Sequence, residues 1–208
     1  MESTKTTSNT ENFITIVSGL PRSGTSMMMQ MLAAGGMPAL ADNLRQADED
    51  NPRGYYEFER VKEVATDSSW LDEAEGKAVK MVYRLLYDLP ADRSYRVIFM
   101  IRSLDEVIAS QQVMLERSGT ASDALDDAQL ADIYRRQLEA VTDWLNAKPN
   151  FSVLSVDYHE LLSAPEPIVQ QLNRFLGGRL DSDAMLQVPD WSLYRQRRGV
   201  PAAAGAAE

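Results

Sequence analysis

The chain has 208 residues, no Cys, a single His and a formal net charge of −10. The absence of Cys excludes disulfides and thiolate metal sites, and one His argues against a zinc site of the usual kind. The acidic balance argues against general binding to nucleic acid or other polyanions, so an anionic ligand has to be held by locally placed arginines.

The length suits one α/β domain, expected over residues 13–200. Residues 1–12 form a Ser/Thr/Asn-rich lead-in expected to be disordered, and 201–208 an Ala/Gly tail expected to be loose. The lead-in has no hydrophobic signal core and no apolar run approaches the length of a membrane span, which predicts a soluble, cytoplasmic protein.

Phe13, Ile14, Ile16 and Val17 form a β-branched and aromatic run that ends at Gly19, and Thr25 opens a segment rich in Met and Leu. This pattern predicts a strand, a tight turn and a helix. The turn, Gly19-Leu20-Pro21-Arg22-Ser23-Gly24-Thr25-Ser26, supplies glycines for close backbone approach, a cation, and hydroxyls at a helix N-terminus whose N–H groups attract anions. It is a P-loop-like phosphate-binding pattern, but Thr25 stands where the ATPase loop carries Lys. ATP and GTP hydrolases need that Lys on the outer phosphates, so the phosphate here is held without being used in their way.

Gly35, Gly36 and Pro38 stop the first helix, and residues 41–53 are acidic and irregular up to the turn Asn51-Pro52-Arg53-Gly54. Tyr55 to Glu59 then leads into a predicted helix through Val61 and Val64. A second strand is predicted over 78–83, with Lys80 among apolar neighbours, and Pro90 and Asp92 break the chain before the strongest strand signal, 96–101. Such a continuous apolar run suits a parallel strand covered on both faces. Arg102 stands at its carboxyl end, where open α/β sheets bind ligands. Residues 105–115 read as a helix with Val107, Ile108 and Leu115 facing inward.

Ser122 and Asp123 are candidate caps for the next helix, whose Leu130, Ile133, Tyr134, Leu138, Val141, Trp144 and Leu145 recur at helical spacing and read as core. Residues 151–156 read as another buried strand. After Asp157-Tyr158-His159-Glu160, Pro165 and Pro167 start a helix carrying Ile168, Val169, Leu172, Phe175 and Leu176 that stops at Gly177-Gly178. Strands alternating with helices predict a three-layer α/β fold with a central parallel sheet and right-handed crossovers.

Three segments resemble the sulfotransferases that use 3′-phosphoadenosine 5′-phosphosulfate (PAPS). Leu20-Pro21-Arg22-Ser23-Gly24-Thr25-Ser26 resembles the family's 5′-phosphosulfate loop, P-[KR]-S-G-T-[TS]. Arg102-Ser103-Leu104-Asp105-Glu106-Val107-Ile108-Ala109-Ser110 resembles the 3′-phosphate motif, R-[ND]-P-x-D-x-x-x-S, with Arg and Ser at the family separation and Leu104 near the usual Pro. Val153 to Leu161 resembles the late strand ending in Y-E-D-L, with Pro165 in place after it. The resemblance spans residues 13–177 in the family's order. It implies that backbone N–H groups of Ser23, Gly24, Thr25 and Ser26 hold the 5′-phosphate while Arg22 neutralises charge on the breaking phosphosulfate bridge. It implies further that Arg102 and Ser110 hold the 3′-phosphate, that Tyr158 contacts adenine, and that Arg197-Arg198-Gly199 closes over the 3′-phosphate. The implied donor is PAPS with no metal, and the acceptor a hydroxyl or amine of a small molecule or peptide.

The family's catalytic His is absent: Lys80 matches the Lys of its K-T-H-L-P strand, but Val82 stands at the His position and His159 matches a Glu. Deprotonating an alcohol acceptor favours a nearby base. Asn51-Pro52-Arg53-Gly54-Tyr55-Tyr56-Glu57 resembles the N-P-x-G-[FY]-x-E segment of bacterial members, which makes Glu57 the candidate base and Lys80 its catalytic companion. Each residue also has a plainer role open to it. Glu57 can be a helix-start carboxylate, Lys80 a solvated strand-edge cation, Arg102 a surface partner of Asp105, Ser110 a helix-packing residue, and the arginines at 195, 197 and 198 a solvated tail. A nucleotide-kinase-like phosphotransferase and a non-catalytic nucleotide-binding protein remain alternatives.

Overall fold

The computed structural model describes residues 13–194 apart from 43, 46, 49, 50, 52 and 120–125. The lead-in, the Ser122 and Asp123 caps, Arg195, Arg197, Arg198, Gly199 and the tail over 201–208 lie outside the described residues. A five-stranded sheet runs in the order β2-β3-β1-β4-β5, where β1 is Ile14–Gly19, β2 Ala39–Leu40, β3 Ala78–Lys80, β4 Tyr95–Ile101 and β5 Phe151–Asp157. Every neighbouring pair is parallel. The helices are α1 (Thr25–Ala34), α2 (Leu104–Ser118), α3 (Asp127–Asn146), α4 (Tyr158–Ser163), α5 (Pro165–Phe175) and α6 (Ser182–Leu186).

Alternation along β4 explains the layers. Tyr95, Val97 and Phe99 pack with Val107 of α2 and Val141 and Leu145 of α3, whereas Ile98 and Met100 point to the other face and pack with α1, α4, α5 and α6. Two cores therefore sandwich the sheet, as expected for an α/β fold with helices on both faces. No helix among the described residues is long and apolar enough to cross a membrane.

Several sequence expectations need correction. The strand predicted over 78–83 stops at Lys80, and Tyr83–Asp88 is a 3-10 helix. The helix predicted through Val61 and Val64 is instead two short 3-10 helices, Glu59–Glu63 and Ser69–Asp72. β5 is at the edge of the sheet among the described residues and is only partly covered, with Ser152 and Ser155 exposed. The cap of α3 is Asp126, whose carboxylate accepts from the Gln129 N–H in a capping box, and Ile133 is 37% exposed on that helix rather than in the core. Leu115 is only half-buried.

Residues 51–76 contain little regular structure, and Trp70 is their largest fully buried side chain. Its ring is fully buried, meets Phe58 edge-on with centroids 5.8 Å apart, and packs in the same core as Val61 and Val64. Its indole N–H has no hydrogen-bond partner, so the ring is held by packing alone. Trp70→Ala should cost about 3–5 kcal/mol in urea unfolding. Trp70→Phe should cost clearly less, because it also removes a buried donor with no acceptor. A loss below about 1 kcal/mol for the Ala variant would show that the segment is anchored elsewhere.

Candidate active site

The chain leaves β1 through a sharply constrained turn. Gly19 has φ 148°, and a Cβ there would lie 2.6 Å from the Met100 carbonyl oxygen of the neighbouring strand and 2.7 Å from Ser23 Oγ, so only glycine fits. The Ser23 N–H donates to the Leu20 carbonyl at 3.2 Å and its hydroxyl to the same oxygen at 2.7 Å. Ser23 is buried, and both its N–H and its hydroxyl close the turn on the Leu20 carbonyl. Arg22 (φ 70°) and Gly24 (φ 99°) are both left-handed, a conformation costing a non-glycine residue about 1–2 kcal/mol. Gly24 caps α1 with no side-chain hydrogen bond, and the first turn holds no acidic residue. The first N–H groups of α1 have no partner within the helix, and its positive dipole end is not neutralised by its own sequence.

The second group comes from the end of β4, the strand beside β1, with Gly19 paired to Met100. Because the chain moves from β1 towards β3 on one side and from β4 towards β5 on the other, the two carboxyl ends form the switch point of the sheet. Arg102 reaches across it: Nη1 donates to the Arg22 carbonyl at 3.0 Å, and Nε to Glu106 at 3.0 Å. Both side chains of this pair are over nine-tenths buried. The surface pairing with Asp105 is therefore not found; the guanidinium, which precedes α2, meets Glu106 in the helix's first turn. The guanidinium also lies 4.6 Å from the centre of the Tyr158 ring and 5.3 Å from that of Tyr194. Burial, then the Glu106 carboxylate, pushes the Tyr194 hydroxyl up to about 12, and burial raises that of Tyr158. One turn beyond Glu106, buried Ser110 accepts a hydrogen bond from Arg22 Nε at 2.9 Å. Tyr158 itself starts α4 and lies flat against the loop, where a Cβ on Gly24 would be 2.4 Å from its ring.

A third group closes the other side. Lys80 ends β3, and its side chain is 12% exposed, which overturns the solvated strand-edge role. Its ammonium donates to the Tyr55 carbonyl and lies 3.5 Å from both Ser26 Oγ and Glu57 Oε1. Burial pulls the Lys80 pKa below its ordinary 10.5, opposed by the nearby Glu57 carboxylate. Glu57 also accepts from Arg45 at 3.3 Å, and it precedes the 3-10 helix at Glu59–Glu63 instead of opening a helix. The turn before it is closed by Asn51, whose side-chain amide donates to the Gly54 carbonyl at 2.6 Å. Tyr55 is fixed through its hydroxyl to the Asp48 carboxylate at 2.6 and 2.8 Å, and burial together with that carboxylate pushes it up to about 12.

These groups open on one cavity of about 440 Å³, within the usual range for ligand sites. Arg22, Gly24, Thr25, Ser26, Glu57, Lys80, Arg102, Ser110 and Tyr158 all line it, and of the expected site residues that are described only Ser23 does not. His159 is exposed at the start of α4, with its ring 5.9 Å from Trp191, and does not line the cavity. Sequence reasoning missed Arg45, Arg53 and Arg117 on the cavity wall and Glu106 behind it. Glu106 had a local signal, since it stands at the Asp of the motif that Arg102 to Ser110 resembles, whereas Arg45 sits in an irregular acidic stretch with no pattern to read.

Comparison with known proteins adds an independent line. The model of the sulfotransferase domain family matches residues 14–204. No curated protein matches the chain in sequence. Among solved structures the chain is similar to the sulfotransferase domain from the curacin biosynthetic pathway, at 16% identity over 93% of this chain and 81% of that one, with a TM-score of 0.44. At that distance the structural likeness adds nothing, and the assignment rests on the family match, which takes in all three groups of the cavity. The chain belongs to the sulfotransferase domain family.

Proposed function

We propose that the protein transfers a sulfuryl group from PAPS to a hydroxyl or amine of a small-molecule or peptide acceptor. The observation that carries this reading is the convergence of two anion-holding groups, from the ends of β1 and β4, on one cavity whose opposite wall holds Lys80 and Glu57. The donor carries two separated phosphate groups, and the N-terminus of α1 with Gly24, Thr25 and Ser26 suits the 5′-phosphate. Arg102 and the Ser110 hydroxyl suit the 3′-phosphate, Tyr158 offers a ring to adenine, and Arg197, Arg198 and Gly199 would close over the 3′-phosphate.

In the transfer step the acceptor oxygen or nitrogen attacks sulfur in line. The bond from sulfur to the bridging oxygen breaks, its electron pair stays on the 5′-phosphate, and the acceptor's proton passes to the Glu57 carboxylate. Arg22 and Lys80 offset the charge that grows on the bridging oxygen, and their burial makes that offset larger than in water. The Lys80–Glu57 contact sets the base beside the cation that stabilises the leaving group.

Calorimetric titration is the first check. Adenosine 3′,5′-bisphosphate should bind at least about tenfold more tightly than AMP, from hydrogen bonds to a charged group. Tight binding of ATP with magnesium and no preference for the 3′-phosphate would overturn the reading. Ser110→Ala should reduce the bisphosphate preference about tenfold, because it removes both the partner of Arg22 and a phosphate donor.

Two kinetic predictions concern the opposite wall. Glu57→Gln should leave bisphosphate binding intact while transfer to an alcohol falls about 10²-fold or more, and an unchanged rate would remove Glu57 from the mechanism. The Lys80 ammonium is the active form and its pKa is lowered by burial, so transfer should decline with rising pH before pH 10.5 is reached. Lys80→Arg, whose guanidinium does not titrate in this range, should lose that alkaline decline even if its rate is lower.

A further inference from the structure

Glu106 belongs to none of the roles assigned so far, yet it is the most buried carboxylate that ties separate parts of the site together. It stands in the first turn of α2, is 6% exposed, and does not line the cavity. A buried carboxylate is costly unless charged and polar partners surround it. Here Arg102 Nε donates to one oxygen at 3.0 Å and the Tyr194 hydroxyl donates to the other.

We propose that Glu106 is a positioning residue of the donor site, fixing the Arg102 guanidinium against the phosphate loop and docking the segment that ends at Tyr194 onto the same guanidinium. The proposal rests on the donor reading given above. With Nε held by Glu106 and Nη1 held on the Arg22 carbonyl, the guanidinium plane has no rotational freedom left. The rings of Tyr158 and Tyr194 flank it as well.

The orientation matters because of what Nη1 holds. Arg22 is left-handed and persists in that conformation only if its surroundings over-determine it. Helix α2 supplies two grips one turn apart: Glu106 acts through Arg102 on the Arg22 carbonyl, and Ser110 acts directly on the Arg22 side chain. Losing the first grip removes the hold that Arg102 has on the Arg22 carbonyl.

The third connection reaches the end of the described chain. Val188 and Asp190 border the cavity and are fastened by Arg53, which donates to the Val188 carbonyl at 2.8 Å and to Asp190 at 2.7 Å. The 3-10 turn Trp191–Leu193 follows, capped by Asp190, and delivers Tyr194 to Glu106. The carboxylate is thus where the end of β4, the phosphate loop and this segment are joined.

The test measures the ratio of affinities for adenosine 3′,5′-bisphosphate and AMP, which reads the 3′-phosphate contact and is insensitive to a general loosening that weakens both ligands. The wild-type ratio separates the two hypotheses: no preference overturns the donor reading and this proposal with it, whereas a preserved wild-type preference tests Glu106 alone. Glu106→Ala should lower the ratio about fivefold or more, the scale of one lost hydrogen bond to a charged group. Glu106→Gln, which keeps an acceptor oxygen towards Arg102 Nε, should stay within about twofold of wild type. An unchanged ratio in Glu106→Ala overturns the proposal, and so does a loss in Glu106→Gln equal to that of Ala, since charge and not positioning would then be at work. Tyr194→Phe removes only a hydroxyl and decides the matter if Glu106→Ala does not fold. With unfolding temperature near wild type its ratio should fall about threefold, and no change would overturn the role given to Glu106.

Discussion

The site depends on a backbone that turns through left-handed conformations at Arg22 and Gly24 while it lies against a neighbouring strand. Glycine solves this at positions 19 and 24 by offering no Cβ to the Met100 carbonyl or the Tyr158 ring. At Arg22 the solution is different, since a side chain is retained and the strain has to be offset by contacts. The buried Arg102–Glu106 pair is the largest of them, and as a stability device it is poor. Replacing such a pair by apolar residues is often neutral, whereas removing one partner costs about 3–5 kcal/mol. A buried pair that contributes little net stability but fixes a guanidinium in one orientation makes sense where that orientation is used.

Electrostatics gives the same loop a second dependence. The chain carries a formal charge of −10, yet Arg22, Arg45, Arg53, Lys80, Arg102 and Arg117 all face one cavity. Glu57, Glu59 and Asp190 line it too, but the cations outnumber them, and an excess of one sign in a concave region raises the local potential more than the same excess spread over a surface. The acidic remainder repels polyanions in general, and the cavity's field acts over roughly a Debye length of about 8 Å at physiological salt. Under the proposed function, this favours small anions that can enter the cavity over polyanions.

How much of this could be read from the chain follows from how local each feature is. The loop, β4 and the Arg102–Ser110 spacing are local patterns: two glycines around a cation, a continuous apolar run, and an Arg just before a helix with a Ser eight residues on. All were legible, and the structure gathers them on one wall. β5 was misjudged because its apolar content resembles a central strand, although the exposed serines at 152 and 155, on opposite faces of the strand, mark incomplete cover on both sides. The region 55–88 was misread as helix and long strand because its conformation is imposed by distant packing around Trp70 and by Lys80 reaching the Tyr55 carbonyl, neither of which leaves a periodic trace. That Ser23 closes the turn was not legible, because a hydroxyl in a phosphate loop looks the same in sequence whether it faces outward or bonds its own backbone.

The two sides of the cavity are built from different material, and this bears on what each can recognise. The proposed donor side uses strand ends and the first turns of α1 and α2, elements whose positions are fixed by the sheet register. The opposite side uses short 3-10 helices and connecting segments, with Val61, Met81, Val82 and Leu85 joined by Val113 and Met114 of α2. Val82, standing where the resemblance calls for His, is 44% exposed and turns an apolar surface to that side. Irregular segments on a rigid scaffold tolerate substitution better than the scaffold itself. Under the proposed function, the donor geometry is therefore set by the fold, and acceptor choice by a handful of side chains around Glu57 that can change without disturbing the phosphate loop.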